Sequence, residues 1–158
     1  MKIIFLFLSA ALASGLLLAN IYSSLVDARS WGADLPHSIG VAREYFKTVD
    51  PGNFFRIFSP VNQVLGLLVL ILYWKASPAI RAGLGIAFLC YVVAEGLTFT
   101  YFFPRNDLMF RDANLSDVSL LKKTWLEWSG MNWVRSSILL LGIAASFFSI
   151  HKIYTTAS

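Results

Sequence analysis

Two residues carry most of the chemical interest: Glu95 and Arg135 are ionisable side chains set inside long apolar runs. A charge in hydrocarbon is costly, so residues of this kind face the interior of a helix bundle or a cavity. At about 1.5 Å per helical residue, Glu95 lies about 12 Å in from Phe103 and Arg135 about 10 Å in from Trp128. Both count from the same end of the molecule, so the two charges fall at matching depth. Asn20 lies seven residues inside Asp27, Asn62 and Gln63 open the second apolar stretch, and Asn132 shares a helix face with Arg135. Each apolar stretch thus offers polar groups to one layer.

This layer reads in two ways. In the structural reading, Glu95 and Arg135 form a buried ion pair, the amides satisfy the leftover donors, and helix register is fixed without a ligand. In the functional reading the layer lines a pocket. There Arg135 holds an anionic or enolate oxygen and Glu95 exchanges a proton in a low-dielectric site, which makes these two the catalytic candidates. Asn20, Asn62, Asn132 and Tyr101 then become ligand-binding candidates, with Thr98 extending the polar path. Tyr22, Trp31, Trp125, Trp128 and Trp133 would supply aromatic walls, or else belt anchors at the headgroups.

The elements that position this layer follow from composition. Of 158 residues, 57% are hydrophobic and only 14% are charged, and mean hydropathy is +0.65, values that belong to a membrane protein. The 13 Lys and Arg residues are scattered among 9 acids and form no basic run, so the net charge of +4 marks membrane orientation and excludes a nucleic-acid partner. A hydrocarbon core of about 30 Å needs roughly 20 helical residues. Four stretches meet that need, at about 3–26, 58–74, 79–103 and 128–150. The expectation is an all-α polytopic membrane protein in which residues 1–158 form one four-transmembrane-helix bundle. The lipid bilayer is its first partner, and assembly with copies of itself is compatible with the sequence.

The first stretch also resembles a signal peptide with a small-residue site at Ala11-Leu12-Ala13. The run Gly15-Leu16-Leu17-Leu18-Ala19 carries it on to spanning length, so a retained helix is expected. Lys75-Ala76-Ser77-Pro78 is a tight turn, whereas the other two connectors are long and gather on the opposite face. Lys2, Lys75, Arg81 and Lys152 lie on the short-loop side without an acid. Although raw counts of Lys and Arg favour the other face, this asymmetry places the termini in the cytoplasm and loops 27–57 and 104–127 on the outer face.

Both long loops look structured. In the first, Ile39, Ala42, Tyr45, Phe46 and Val49 repeat at helical spacing and Pro51-Gly52-Asn53 ends the segment. In the second, Asn114 and Asp117 mark a helix start, and Val118, Leu121, Trp125 and Trp128 continue it toward the fourth span. Interfacial helices that cap the bundle are the expectation.

Other chemistries lack their residues. Cys90 is the single cysteine, so no disulfide, zinc cluster or CxxC redox site can be built. His37 and His151 fall on opposite faces, which excludes a bis-histidine haem, and His37 with Asp27, Asp34 or Glu44 lacks a recognised metal spacing. There is no phosphate loop, GxSxG elbow or HExxH motif, so no metal and no cofactor is evident. Gly83, Gly85, Gly142, Ala144 and Ala145 are expected at helix contacts.

Tyr101-Phe102-Phe103-Pro104-Arg105-Asn106-Asp107 closes the third span, and Trp128 followed by Asn132 and Arg135 opens the fourth. These stretches resemble the family of small four-helix membrane proteins that includes the fungal anthrone oxygenases. The resemblance implies a helical bundle and, for the enzyme members, oxygenation of a polyphenolic anthrone to a quinone. By matching position it implies Asn106, Trp128 and Arg135 as the polar site. Where enzyme members carry a histidine three residues before the arginine, this chain has Asn132, which is no base at neutral pH. The leading expectation is therefore an intramembrane small-molecule site, as in an oxidoreductase acting on an apolar aromatic or quinone-like compound. The alternative is a non-enzymatic assembly or accessory subunit, or a small transporter in which Glu95 carries protons.

Overall fold

The structure, a computed structural model, describes residues 2–111 and 117–156. Among the described residues there are five helices: α1 Lys2–Trp31, α2 His37–Tyr45, α3 Pro51–Leu72, α4 Pro78–Arg111 and α5 Val118–Thr156. Among the described residues there is no strand. Helices α1, α3, α4 and α5 are each long and apolar enough to cross a membrane, and Leu18, Val64, Leu89 and Leu141 point their side chains outward as lipid-facing residues must. The chain is an integral membrane protein.

Local chemistry sets the helix ends. Pro51 and Pro78 stand at the first turn of α3 and α4, where a missing N–H costs nothing and φ is already helical. The expected stop at Pro51-Gly52-Asn53 is thus a start, and α3 begins seven residues before the apolar run at Phe58. Asp117 Oδ1 accepts the Leu120 N–H at 2.9 Å and caps α5; the companion expectation for Asn114 lies outside the described residues. All four spanning helices run past their apolar stretches at the long-loop end, because helical packing continues after hydropathy falls. The segment 104–127 is consequently mostly helix rather than loop.

The four long helices form a ring in which α1 touches α3, α3 touches α4, α4 touches α5, and α5 returns to α1. Each neighbour runs antiparallel to the next. The α4–α5 seam is the most extensive and the α3–α4 seam the least. At the short-turn end Leu6, Val69, Ile80, Leu84 and Ile150 fill the centre. Ala13, Leu16, Ala87, Tyr91, Leu139 and Ile143 fill the middle. Here Gly142 lets the Tyr91 ring lie against α5, since a Cβ would meet Tyr91 Cε1 at 2.8 Å; Gly83 likewise admits Ser149. Gly85 faces open space, contrary to expectation, because it sits on the outer side of α4.

At the long-loop end Ala28, Trp31, Ile39, Phe102, Met109 and Trp128 make an aromatic cap. Helix α2 contributes Ile39 and Ala42, whereas Tyr45 and Val49 of the expected apolar face point outward. The helix ends at Tyr45, so 45 and 49 never share its buried side. Arg43 anchors α2 by donating from Nε to the Met109 carbonyl at 2.8 Å. Two π-helical segments, Ser23–Asp27 and Thr98–Phe102, lie just below this cap. The wider turn re-aims the residues at its end and beyond, and Phe102 of the second segment and Ala28 and Trp31 after the first are buried.

Candidate functional site

Between the middle core and the cap lies the polar layer. Arg135 projects from α5 into the bundle and is only 6% exposed. Its Nη2 donates to Asn20 Oδ1 and to Asn132 Oδ1, each at 2.6 Å, and its Nη1 donates to Thr98 Oγ1 at 3.2 Å. The guanidinium lies 4.0 Å from the Phe102 ring centre and 5.5 Å from that of Phe55, close enough for cation–π attraction in a desolvated setting. Asn132 is fully occupied: its amide also donates to the Asn20 carbonyl and to Ser24 Oγ. It therefore positions Arg135 rather than facing a ligand.

The ion pair expected between Glu95 and Arg135 is not formed; no nitrogen of Arg135 lies within 4.0 Å of the Glu95 carboxylate. Matching depth placed both residues on one level, but three neutral oxygens occupy the guanidinium edge that a carboxylate would take. Glu95 instead lines the same cavity as Ser59 and Arg135 and feels the Arg135 charge through space.

The two charges line one cavity. Its walls come from Leu16 and Asn20 of α1, Phe55, Ser59, Asn62 and Gln63 of α3, Tyr91, Ala94, Glu95 and Thr98 of α4, and Arg135 and Leu139 of α5. About 20 Å³ is open to the centres of water molecules, room for a water and for no ring system. Three buried polar atoms on its wall have no partner: Arg135 Nε, Asn62 Oδ1 and Gln63 Oε1. Gln63 is held in place by its other end, Nε2 donating to the Tyr91 carbonyl at 2.8 Å. Tyr91 closes the floor, its hydroxyl bonded to Ser146 Oγ at 3.0 Å.

The wall is not sealed on every side. All lining residues from α1 and α5 are buried, whereas Phe55, Gln63, Glu95 and Thr98, all from α3 and α4, are partly exposed. The cavity therefore opens along the α3–α4 seam. Pro60 lies on α3 between Ser59 and Asn62, where its missing N–H leaves the Arg56 carbonyl without a helical partner.

The structure thus brings Asn20, Asn62, Glu95 and Arg135 to one cavity and puts Asn132 behind it. It places the other expected residues elsewhere. Trp128 donates from Nε1 to Asn106 Oδ1 at 2.8 Å inside the cap. Tyr101 stacks under Arg105, its ring centre 3.4 Å from the guanidinium, and bonds the Glu127 carbonyl at 3.4 Å. None of these three reaches the cavity. Nor do the expected aromatic walls: Trp31, Trp125 and Trp128 belong to the cap, while Tyr22 and Trp133 face outward as belt residues do. Their place is taken by Phe55 and Tyr91.

Ser59, Phe55 and Tyr91 were not singled out from sequence. Phe55, Ser59 and Asn62 sit at helical spacing on one face of α3, a signal that becomes visible once the helix starts at Pro51. No family model, no curated protein and no solved structure matches the chain. The two short stretches around Asn106 and Trp128 meet in this fold, where those two residues bond each other.

Proposed function

We propose that this membrane protein binds the oxygen-bearing end of a lipid-soluble small molecule in the polar cavity, with the rest of the molecule lying in the α3–α4 seam. One observation carries the reading: a buried arginine keeps Nε–H open toward a cavity whose opposite wall holds two unpartnered amide oxygens. A polar layer that served register alone would close such groups on one another, since each unmade bond at a buried polar atom costs about 1 to 3 kcal/mol. The seam supports lateral entry, because its lining residues are the exposed ones and an apolar body gains nothing by passing through the aqueous face.

Glu95 is the cavity's one carboxylate. A bound acidic hydroxyl can pass its proton to that carboxylate while Arg135 holds the oxygen left behind, which needs no further reactant. Oxidation of an aromatic or quinone-like compound would need, besides this proton step, a separate electron acceptor such as dioxygen. The rival reading is a non-enzymatic bundle whose cavity keeps a structural water, and the small volume favours it.

Native mass spectrometry with extraction of bound compounds, on gently purified wild type, Asn62→Leu and Trp128→Phe, separates the two. A discrete small molecule retained by wild type and Trp128→Phe and lost from Asn62→Leu is the expected result. Bulk lipid alone in all three would leave the structural reading standing.

A further inference from the structure

We infer that the head group this cavity selects is a neutral hydroxyl, so that its ligands are lipid-soluble alcohols rather than carboxylates, ethers or simple carbonyl compounds. The inference rests on the site proposed above and deepens it. Among the residues lining the cavity, three buried atoms are without a partner, the donor Arg135 Nε and the acceptors Asn62 Oδ1 and Gln63 Oε1, and Asn62 Nδ2 likewise makes no hydrogen bond. The Glu95 carboxylate adds further acceptor capacity on the same wall. The lone pairs of these amide and carboxylate oxygens outnumber the open N–H groups of Arg135 Nε and Asn62 Nδ2, so the site favours an occupant that donates a hydrogen bond as well as accepting one.

Candidate head groups sort by that requirement. A hydroxyl oxygen accepts from Arg135 Nε–H and donates its proton to an amide oxygen, satisfying both kinds of open atom. A carbonyl or an ether can only accept and leaves the amide oxygens unmet. An ionised carboxylate only accepts and also brings negative charge beside Glu95. An ammonium only donates and sets a cation against Arg135. Volume agrees with the inventory, because the space suits one oxygen atom and not a planar acid group with two. Water fits the same inventory, but the opening lies along a seam between two lipid-crossing helices, where an alcohol with an apolar tail is the occupant that the surroundings also solvate.

The test uses the full chain in phosphatidylcholine nanodiscs, titrated calorimetrically with 1-dodecanol, dodecyl methyl ether and dodecanoate. Titrations of empty nanodiscs are subtracted to remove partitioning into lipid. Dodecanol is expected to give saturable one-to-one binding, with the ether and the carboxylate each weaker by about tenfold or more. Asn62→Leu removes an unpartnered buried oxygen, so the variant should fold, and it should weaken dodecanol by about tenfold. Ether or carboxylate binding as tightly as the alcohol, with Asn62→Leu weakening it, would overturn the hydroxyl selectivity and leave the site. Dodecanol binding unchanged in Asn62→Leu would overturn the role given to the amide oxygen. Absence of saturable binding for all three probes would overturn both the selectivity and the site.

Discussion

Two arginines, one in the polar layer and one at the rim of the cap, solve the problem of a charge in opposite ways. Arg105 is partly exposed and takes a carboxylate: Nε and Nη2 reach Glu127 Oε2 at 3.0 and 2.7 Å, and Tyr101 lies beneath the guanidinium. Arg135 is buried and takes none, relying on Asn20, Asn132 and Thr98 with Phe102 alongside. Water at the rim screens a charge pair, so pairing there costs little and contributes little. In the bilayer a second charge would have to be desolvated as well, and three neutral oxygens supply hydrogen bonds without that cost. The lesson is that a carboxylate near a buried arginine is not automatically its counter-ion, and Glu95 is left available for something else.

Substitutions can break this contrast. The largest effect is expected from Arg135→Ala, which strands Asn20 Oδ1 and Asn132 Oδ1 in a dry interior; unfolding in a denaturing detergent titration should show a loss of about 3 to 5 kcal/mol. Asn132→Leu should cost about 2 to 3 kcal/mol in the same assay, since Arg135, Ser24 and the Asn20 carbonyl each lose a partner. If this variant were as stable as wild type, Asn132 would not be the residue that positions Arg135. Glu127→Gln at the rim should lower stability by about 0.5 to 1 kcal/mol, an effect that shrinks further in high salt. Smallest of all, Glu95→Gln should shift stability by less than about 0.5 kcal/mol, because no ion pair is lost. A drop comparable to that of Arg135→Ala would show Glu95 and Arg135 acting as a pair after all.

The sequence disclosed depth better than direction. Hydropathy had to reveal four spans, since only helices of sufficient length satisfy backbone groups in lipid, and counting along them put Asn20, Asn62, Glu95 and Arg135 on one level. Which side of Arg135 met which neighbour was not legible, because a count of residues fixes height on a helix and leaves rotation and partner choice to packing. The π segments made this worse: each inserts a wider turn that a 3.6-residue period does not anticipate, and Phe102, at the end of one of them, is buried in the cap. Hydropathy also hid the true start of α3, and with it Phe55 and Ser59, since Pro51 reads as a breaker unless it is recognised as a first-turn residue. The cap lay beyond reach for a different reason, as Arg43, Met109 and Trp128 meet there from three helices far apart in sequence.

The tight turn at 73–77 gives the α3–α4 pair a mechanical character. Backbone bonds such as Ala76 N–H to the Tyr73 carbonyl at 2.9 Å join the two helices at one end, and farther along, among the described residues, only the Gln63 side chain, bonded to the Tyr91 carbonyl, hydrogen-bonds across the seam. That end acts as a fulcrum, and the helices beyond it are the arms of a pair of tongs. Glu95 lies seventeen residues past Pro78, about 25 Å along the arm, so a rotation of about 8° would part the jaws there by roughly 3.5 Å. Pro60, near the middle of α3, lets the outer part of one arm bend independently of the rest. Any rotation about the turn would be magnified where the polar cavity lies and would all but vanish at the turn.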